Sequence, residues 1–457
     1  MYLTSRTIIK KAHPLYEYCV RTAKASKCLY NAALFRLRNN FTGRNKENPT
    51  PNELLVQEEI RLAKETYLKI RRISSVISYY NLDKIMRATK NPDYLSGLLS
   101  MQTAEHVLQN AVGNMQNWIS SVKKYKKDPS GYTGAPNMPG YVKGEMRTTE
   151  FTNQDCKYRN GEIKFPLTDI TVKIGGVPDD AILKTVEIKP YYGQFLILCT
   201  FEVQNVPVNE NMPYMLSADE GVNNLAAIVT NEGSALLFKG GAIKAVNQWF
   251  NKERARLVSE LTKGHETDNV NVTSHALQDL SRKRDCFIRD YLHKVSSRII
   301  SFCLLHRIGT IIIGVNKQWK TCCNIGKVNN QNFVQIPFYI LRQMITYKAQ
   351  RAGITVIEQE ESYTSKADFL CGDDIPVYGQ NDSGVKFSGR RIKRGLYKSG
   401  TGIILNADIN GAANIMKKAV PPAFDEVNDF AYFNDPLVVG FNGLNLKSNP
   451  VRGIGAV

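Results

Sequence analysis

Between Tyr214 and Ile357 the hydrophobic pattern changes period in a fixed order, and that order constrains the fold more than any other feature. Tyr214 to Asp219, Leu225 to Thr230 and Ala235 to Phe238 are apolar runs too short for helices, separated by Gly221 and by Asn231-Glu232-Gly233. Two helical patterns follow, over 242–262 and 275–307. In the second, Leu280, Phe287, Ile288, Leu292, Val295, Ile299 and Cys303 recur at helical spacing. Then come a strand at Thr310 to Ile313, a helix over 336–351 and a strand at Ile354 to Ile357. Parallel strands need a crossover, so three antiparallel strands followed by alternating helices and strands permit few sheets.

This is the order expected of an RNase H-like fold. The rest of the chain, 457 residues in all, exceeds one ordinary domain. Residues 2–10 read as an opening strand, 14–40 as a helix with aromatic and basic positions interleaved, and 53–70 as another helix behind the turn cluster Asn48-Pro49-Thr50-Pro51-Asn52-Glu53. Two or more helices are expected over 76–127. From Asp128-Pro129-Ser130-Gly131 to about residue 210 the texture becomes strands, with alternation at Glu162 to Leu167, Ile170 to Ile174 and Val186 to Lys189, and a more buried run at Phe195 to Val203. Pro166 marks a strand end or edge. A small antiparallel barrel joined by the opening strand fits, which makes the helical region an insertion. A polar, basic excursion at 362–405 interrupts the second half, a helix over 410–418 closes it, and the tail from Val420, with Pro421, Pro422, Pro436 and Pro450, is expected to pack loosely.

Three segments of that second half carry carboxylates at strand ends or helix starts. Asp219 ends an apolar strand before a glycine turn, Glu360 and Glu361 end a later strand, and Asp408 precedes the small-residue helix Gly411-Ala412-Ala413-Asn414-Ile415. Taken singly, Asp219 is most simply a turn former and Asp408 a helix N-cap. Taken together, three converging carboxylates can hold two divalent ions, and two ions can cleave a phosphodiester. The strand Ile311 to Lys317 carries no carboxylate. The third ligand therefore falls to the neighbouring strand end, with Glu361 favoured and Glu360 second.

The chain carries a formal net charge of +18. Folding does not require that imbalance, since self-repulsion works against compactness, and a polyanionic partner suits it. Lys386, Arg390, Arg391, Lys393, Arg394 and Lys398, interleaved with Phe387 and Tyr397, form a patch able to pair with phosphates and stack on bases. Lys123, Lys124, Tyr125, Lys126 and Lys127 form a second basic run; Lys317, Trp319, Lys320 and Asn332 have a composition suited to backbone and base contacts. No long apolar run and no signal pattern points to a membrane. A soluble intracellular chain is expected. The nine cysteines are odd in number and lack Cys-x-x-Cys spacing, so neither a disulfide framework nor a structural zinc site is expected.

Several motifs resemble those of TnpB, the RNA-guided endonuclease carried by insertion sequences and regarded as ancestral to type V CRISPR effectors. Leu29-Tyr30-Asn31-Ala32-Ala33 looks like its N-terminal helical motif, and Met138-Pro139-Gly140-Tyr141 with Glu150-Phe151-Thr152-Asn153-Gln154 like its wedge segment. Asp219 with Gly221 and Asn223, Tyr291 to Ser296, Tyr363-Thr364-Ser365-Lys366 and Asp408 to Ile415 look like its RuvC core. The resemblance implies an α+β multidomain chain: an RNase H-like (RuvC) nuclease core, an N-terminal wedge β-barrel and an inserted helical recognition domain. The implied boundaries are wedge at 1–13 and 128–212, helical domain at 14–127, RuvC core at 213–365 and 406–419, a degenerate zinc-ribbon-like nucleic-acid-binding insert at 366–405, and a tail at 420–457.

The resemblance further implies a guide RNA, a double-stranded DNA target read beside a short flanking motif, an RNA–DNA heteroduplex in a basic channel, and cutting with two Mg²⁺ ions. Asp219 and Asp408 carry over as metal ligands. In the related Fanzor proteins a displaced glutamate stands just before the Tyr-Thr-Ser-like motif, where Glu361 stands here. Three departures stand out: the displaced glutamate, Glu220 in place of an apolar residue, and a zinc ribbon reduced to Cys371. The expected activity is RNA-guided DNA cleavage, in a transposon or as a miniature CRISPR-like effector. The alternatives are a nuclease-dead RNA-guided repressor and a DNA-joining transposase of RNase H-like fold.

Overall fold

A computed structural model describes residues 1–67, 70, 73–263, 272–316, 335–377, 379, 384–393 and 395–445. The chain divides into two compact units, Met1–Gln204 and Asn205–Val457. In the first, β1 (Tyr2–Ile9) is followed by α1 (Tyr16–Gly43), α2 (Pro51–Thr66), α3 (Tyr79–Ala88), the single turn α4 (Pro92–Leu95) and α5 (Met101–Lys127). The predicted turn cluster caps α2. The Thr50 amide donates to Glu53 Oε2 at 2.7 Å and the Glu53 amide to Thr50 Oγ1 at 3.4 Å, with Pro51 opening the helix. Leu29, Leu34, Leu37, Leu108 and Met115 bury the faces of α1 and α5 in one core.

Six strands follow: β2 (Thr149–Thr152), β3 (Lys157–Arg159), β4 (Glu162–Lys164), β5 (Thr171–Lys173), β6 (Ile182–Tyr191) and β7 (Gln194–Glu202). β1 pairs antiparallel with β7 along its whole length, from Tyr2 opposite Glu202 to Ile9 opposite Phe195. The opening strand thus joins the sheet, and the helices are inserted between β1 and β2. In the described residues the expected barrel takes the form of two antiparallel sheets, β1-β7-β6-β2 and β3-β4-β5, over one core containing Phe151, Phe165, Val186 and Phe201. Asn31 of α1 fixes Val142, directly after the Met138–Tyr141 segment, to the helix: its side chain donates to the Val142 carbonyl at 3.1 Å and accepts from the Val142 amide at 2.9 Å.

The second unit starts with the meander β8 (Tyr214–Asp219), β9 (Asn224–Thr230) and β10 (Ala235–Lys239). Helices α6 (Gly241–Leu261) and α7 (His275–Leu305), strand β11 (Ile308–Val315), helix α8 (Phe338–Arg351) and strand β12 (Thr355–Glu360) follow. The sheet order is β12-β11-β8-β9-β10, completed at its edge by β16 (Leu437–Val439). β8, β9 and β10 run antiparallel while β11 and β12 run parallel to β8, the RNase H-like order anticipated from the sequence. On one face, Ile288, Leu292, Val295 and Ile299 of α7 and Phe338, Leu341 and Ile345 of α8 cover Leu216, Ile311 and Ile313. On the other, Ile409, Ala412, Ala413 and Ile415 of α9 (Ala407–Ala419) cover Ala227, Val229 and Ile312.

Within the excursion at 362–405, β13 (Arg390–Lys393), β14 (Leu396–Lys398) and β15 (Ile404–Asn406) form an antiparallel sheet leading into α9. One expectation is corrected here. The tail is not loosely packed through its described length. Phe424 and Phe433 are buried against Phe369, the Tyr432 hydroxyl donates to the Thr230 carbonyl at 3.0 Å, and β16 pairs with β10 before the short helix α10 (Phe441–Asn445). Its prolines stop regular helix, but aromatic burial outweighs the loss of regularity. Among the described residues no helix is long and apolar enough to cross a membrane.

Candidate active site

Asp219 is the last residue of the central strand β8, level with the end of β11, where Ile313 pairs with Ala218. α9 lies against this strand end because its first turns are small. A Cβ on Gly411 would come within 2.7 Å of Asp219 Oδ2, and the Ser217 hydroxyl donates to the Ala412 carbonyl at 2.6 Å. Burial raises the Asp219 carboxyl well above its ordinary range; the charges of Glu361 and Asp408 raise it further, and Arg391 opposes them. Three distant carboxylates therefore act on one another.

Asp408 is not the helix cap. Asn406 is, accepting from the amides of Asp408 at 2.9 Å and Ile409 at 3.3 Å. That frees the Asp408 carboxylate in the first turn, where the helix dipole favours an anion. Asn224 donates to its Oδ2 at 2.7 Å and is itself oriented by the Lys239 ammonium, 3.0 Å from Asn224 Oδ1. Arg391 of β13 lies 3.4 Å from Asp408 Oδ1. Asn224 was not singled out in the sequence; only its proximity to Asp219 in the chain hinted at it.

The two candidate glutamates have different surroundings. Glu360 ends β12 and turns outward: Lys418 donates to its Oε2 at 2.7 Å and the Ser362 amide to its Oε1 at 2.7 Å. Burial alone would raise its carboxyl, but these hydrogen bonds outweigh burial and hold it below the usual range. Glu361 turns inward. Its Oε2 is buried without a hydrogen-bond partner, and a Cβ on Gly314 would come within 2.8 Å of it. Burial pushes the Glu361 carboxyl up to about 7, with Arg342 of α8 opposing and Glu360 adding to the rise. Gly314 lies on β11, the strand that carries no carboxylate, and its missing side chain leaves the space that Glu361 enters from the next strand.

The donor set is all carboxylate oxygen, which suits a hard divalent ion such as Mg²⁺, and the unpartnered Glu361 Oε2 is an atom that a cation would satisfy. Asp219, Glu361 and Asp408 are each only partly buried, whereas Glu220 is buried and lies 3.7 Å from Arg342 Nε. Among the described residues no three His, Cys, Asp or Glu side chains stand close enough together, as placed, to hold a metal ion. Like charges in the three carboxylates oppose their closer approach, and the charges of Glu361 and Asp408 already act on Asp219.

The basic candidates sort by exposure. Lys386, Arg390, Arg391, Lys393 and Lys398 are exposed on the insert, and Lys123, Lys124, Lys126 and Lys127 are exposed at the end of α5, in the other unit. Tyr125 packs edge-on against Tyr132 with ring centroids 5.5 Å apart. Tyr397 departs from expectation: it is 1% exposed, and its hydroxyl donates to the Lys366 carbonyl at 2.8 Å, so it anchors the insert and offers no face to a base. Lys317, Trp319, Lys320, Asn332 and Arg394 lie outside the described residues.

Against known proteins, residues 198–320 match the probable transposase model OrfB_IS605, and residues 338–415 match the TNB domain of Cas12f1-like proteins. The chain is 30% identical over 219 residues to the TnpB-like protein ORF457 of Acidianus two-tailed virus, covering 46% of this chain and 43% of that one. It is 32% identical over 124 residues to the CRISPR-associated endodeoxyribonuclease Cas12f1 of Sulfoacidibacillus thermotolerans, covering 27% of this chain and 25% of that one. The matches thus span less than half the length of these curated relatives. Among solved structures, a Cas12f1–sgRNA–target DNA complex aligns with a TM-score of 0.49 at 14% identity, over 88% of this chain and 82% of that one. The mini-RNA-guided endonuclease CRISPR-Cas_phi3 aligns with a TM-score of 0.43 at 11% identity, over 92% of each.

Proposed function

We propose that this chain, a member of the TnpB family, is an RNA-guided DNA endonuclease whose cutting site is Asp219, Glu361 and Asp408. The observation that carries the reading is the convergence on Asp219 of two carboxylates distant in sequence, one with a buried oxygen lacking any protein donor. DNA as substrate follows from the curated endodeoxyribonuclease relative, and RNA as guide from the family resemblance.

Asp219, Glu361 and Asp408 would hold two Mg²⁺ ions. When bound, such ions activate the attacking water and stabilise the leaving oxygen of the broken phosphodiester. The protein's own share is placement. Asn406 caps α9, so Asp408 need not, and Lys239 and Asn224 together fix which way Asp408 faces. Ser217 and Gly411 hold α9 against β8, setting the spacing of the two aspartates. Gly314 gives Glu361 room to reach in. The exposed Lys386, Arg390, Lys393 and Lys398, on the insert whose Arg391 meets Asp408, suit a nucleic-acid backbone, and the Lys123–Lys127 run of the first unit suits the guide or the target duplex.

The test is cleavage of a double-stranded target matching the RNA that copurifies with the protein. Wild type cuts it in Mg²⁺. Asp219→Ala and Glu361→Ala lose on the order of 10³-fold or more in rate, whereas Glu360→Ala loses less than about threefold. Guide and target binding stay near wild type in all three. A wild-type complex that binds its target and never cuts would instead mark the chain as an RNA-guided repressor.

A further inference from the structure

The insert between Lys366 and Leu405 is where the family resemblance implies a zinc ribbon, and its residues do not fit one. A ribbon brings two short turns together on a metal, each turn supplying two ligands three residues apart. Two such turns are present. One runs from Asp368 to Cys371, the other from Ser399 to Gly402, where the Gly402 amide donates to the Ser399 carbonyl at 2.9 Å. Of the four positions, only Cys371 is a thiol. The group at the centre is a carboxylate.

Asp368 is fully buried and Ser399 is 3% exposed. The Asp368 carboxylate accepts from both turns at once. From its own turn come the amides of Leu370 at 3.1 Å and Cys371 at 3.4 Å. From the opposite turn come the Ser399 hydroxyl, at 3.0 and 2.8 Å to its two oxygens, and the Gly400 amide at 2.7 Å. Cys371 Sγ lies 3.6 Å from the same Ser399 hydroxyl. Two glycines permit the closure: a Cβ on Gly400 would stand 2.9 Å from Cys371 Sγ, and one on Gly389 would stand 2.7 Å from Asp368 Oδ2. A second carboxylate extends the network, since Asp373 accepts from the Asp368 amide at 2.9 Å and from the Ser388 amide and hydroxyl at 2.9 and 2.6 Å.

We propose that Asp368, Ser399 and Cys371 form a hydrogen-bonded replacement for a structural metal, with the buried Asp368 carboxylate tying together the two turns that zinc ties in a ribbon. A carboxylate accepting several backbone and hydroxyl donors recovers in hydrogen bonds what it loses in hydration on burial, so its oxygens are satisfied without a metal. The network closes the base of the β13–β14 hairpin. Arg391 on that hairpin pairs in register with Tyr397, and the Tyr397 hydroxyl donates to the Lys366 carbonyl, so the closure at Asp368 sets where Arg391 stands beside Asp408. The inference concerns the insert alone and stands whether or not the chain cuts DNA.

The experiment is run on the full-length protein with its copurified RNA. Elemental analysis of wild type finds zinc well below one equivalent, and a strong zinc chelator leaves amide exchange over residues 366–405 unchanged. Asp368→Ala raises exchange at Leu396 to Gly400 by about 100-fold or more, while exchange in α7 and β11 stays at wild-type rates. In the converse test, the double variant D368C/S399C adds two thiols to Cys371 and takes up one equivalent of Co²⁺ with a thiolate-to-cobalt absorption band, which wild type lacks. Should Asp368→Ala not fold, D368C/S399C that orders only with Zn²⁺ or Co²⁺ carries the same conclusion. Stoichiometric zinc in wild type, or Asp368→Ala with wild-type exchange, overturns the proposal, as does a double variant that binds no metal.

Discussion

The RNase H-like sheet and the insert that interrupts it are built on opposite principles. The sheet is held by apolar burial: Leu216, Ile311, Ile313, Leu292 and Phe338 are each at most 1% exposed, and polar groups enter mainly at the strand ends. The insert has few large buried side chains besides Phe369, Tyr397 and Leu405, and is closed instead by donors gathered on Asp368 and Asp373. Apolar burial is non-directional and cooperative over many residues, whereas a hydrogen-bond network depends on a few atoms placed to within a few tenths of an ångström. The site draws on both. The sheet and α9 provide the carboxylates and the insert provides Arg391, so a rigid scaffold holds the acidic groups while a more local structure carries the neighbouring guanidinium.

That contrast can be broken by mutation. The largest effect should come from the sheet's own core. Phe338→Ala should cost about 3–5 kcal/mol of unfolding free energy, read as a global shift in denaturant midpoint at unchanged slope. A purely local loss of protection there would mean that the core is not cooperative. Next is Gly314→Ala, whose new methyl meets Ile415 Cδ1 at 2.5 Å and Glu361 Oε2 at 2.8 Å. The displaced Glu361 should lower the cleavage rate by on the order of 100-fold, with guide-RNA binding unchanged.

A third effect depends on pH. Burial raises the Glu361 carboxyl from 4.5 to about 7 in the folded, metal-free protein. A raised acid favours the folded state only while protonated. Its stabilising share is therefore complete below about pH 4.5 and lost as pH rises through about 7. In chelator, wild type should lose on the order of 2 kcal/mol relative to Glu361→Gln between pH 5 and pH 8. Asp219 acts in the same direction. Adding Mg²⁺ at pH 8 should return the loss in wild type and not in Glu361→Gln, because the ion binds only the folded form. A pH-independent difference would refute the buried, unpartnered placement of Glu361.

The smallest effect belongs to the insert. Tyr397→Phe removes one hydroxyl bond to Lys366 and should cost about 1 kcal/mol, seen as faster amide exchange in β14 with the global midpoint almost unmoved. A global shift matching that of Phe338→Ala would erase the distinction between the two regions.

Reading the sequence went furthest where many residues repeat one signal. The order of the sheet, the ends of β8 and α7 within a few residues, and the opening strand's membership of the first unit's antiparallel sheet all rest on apolar periodicity, averaged over several positions. Asp219 and Asp408 were legible for a related reason: each ends or begins such an element. The tail was misread because prolines were weighed above its aromatics, and Phe424 and Phe433 are buried against Phe369, a residue far from them in sequence. Tyr397 was assigned to nucleic acid from composition, which does not say which way a strand residue faces.

What the sequence by itself determined is the kind of sheet, the basic character of the chain and the placement of Asp219 and Asp408 at a strand end and a helix start. These follow from local period and total charge, quantities that survive without three-dimensional information. Only the tertiary structure shows how the surroundings of Glu360 and Glu361 differ. Lys418 lies far along the chain from Glu360, and Gly314 far from Glu361, so the difference turns on which neighbour each side chain meets once the strands are side by side. The same holds for Asn406 displacing Asp408 as helix cap and for Asp368 closing the insert. In each case one atom-to-atom contact across the fold selects among residues whose local sequence reads alike.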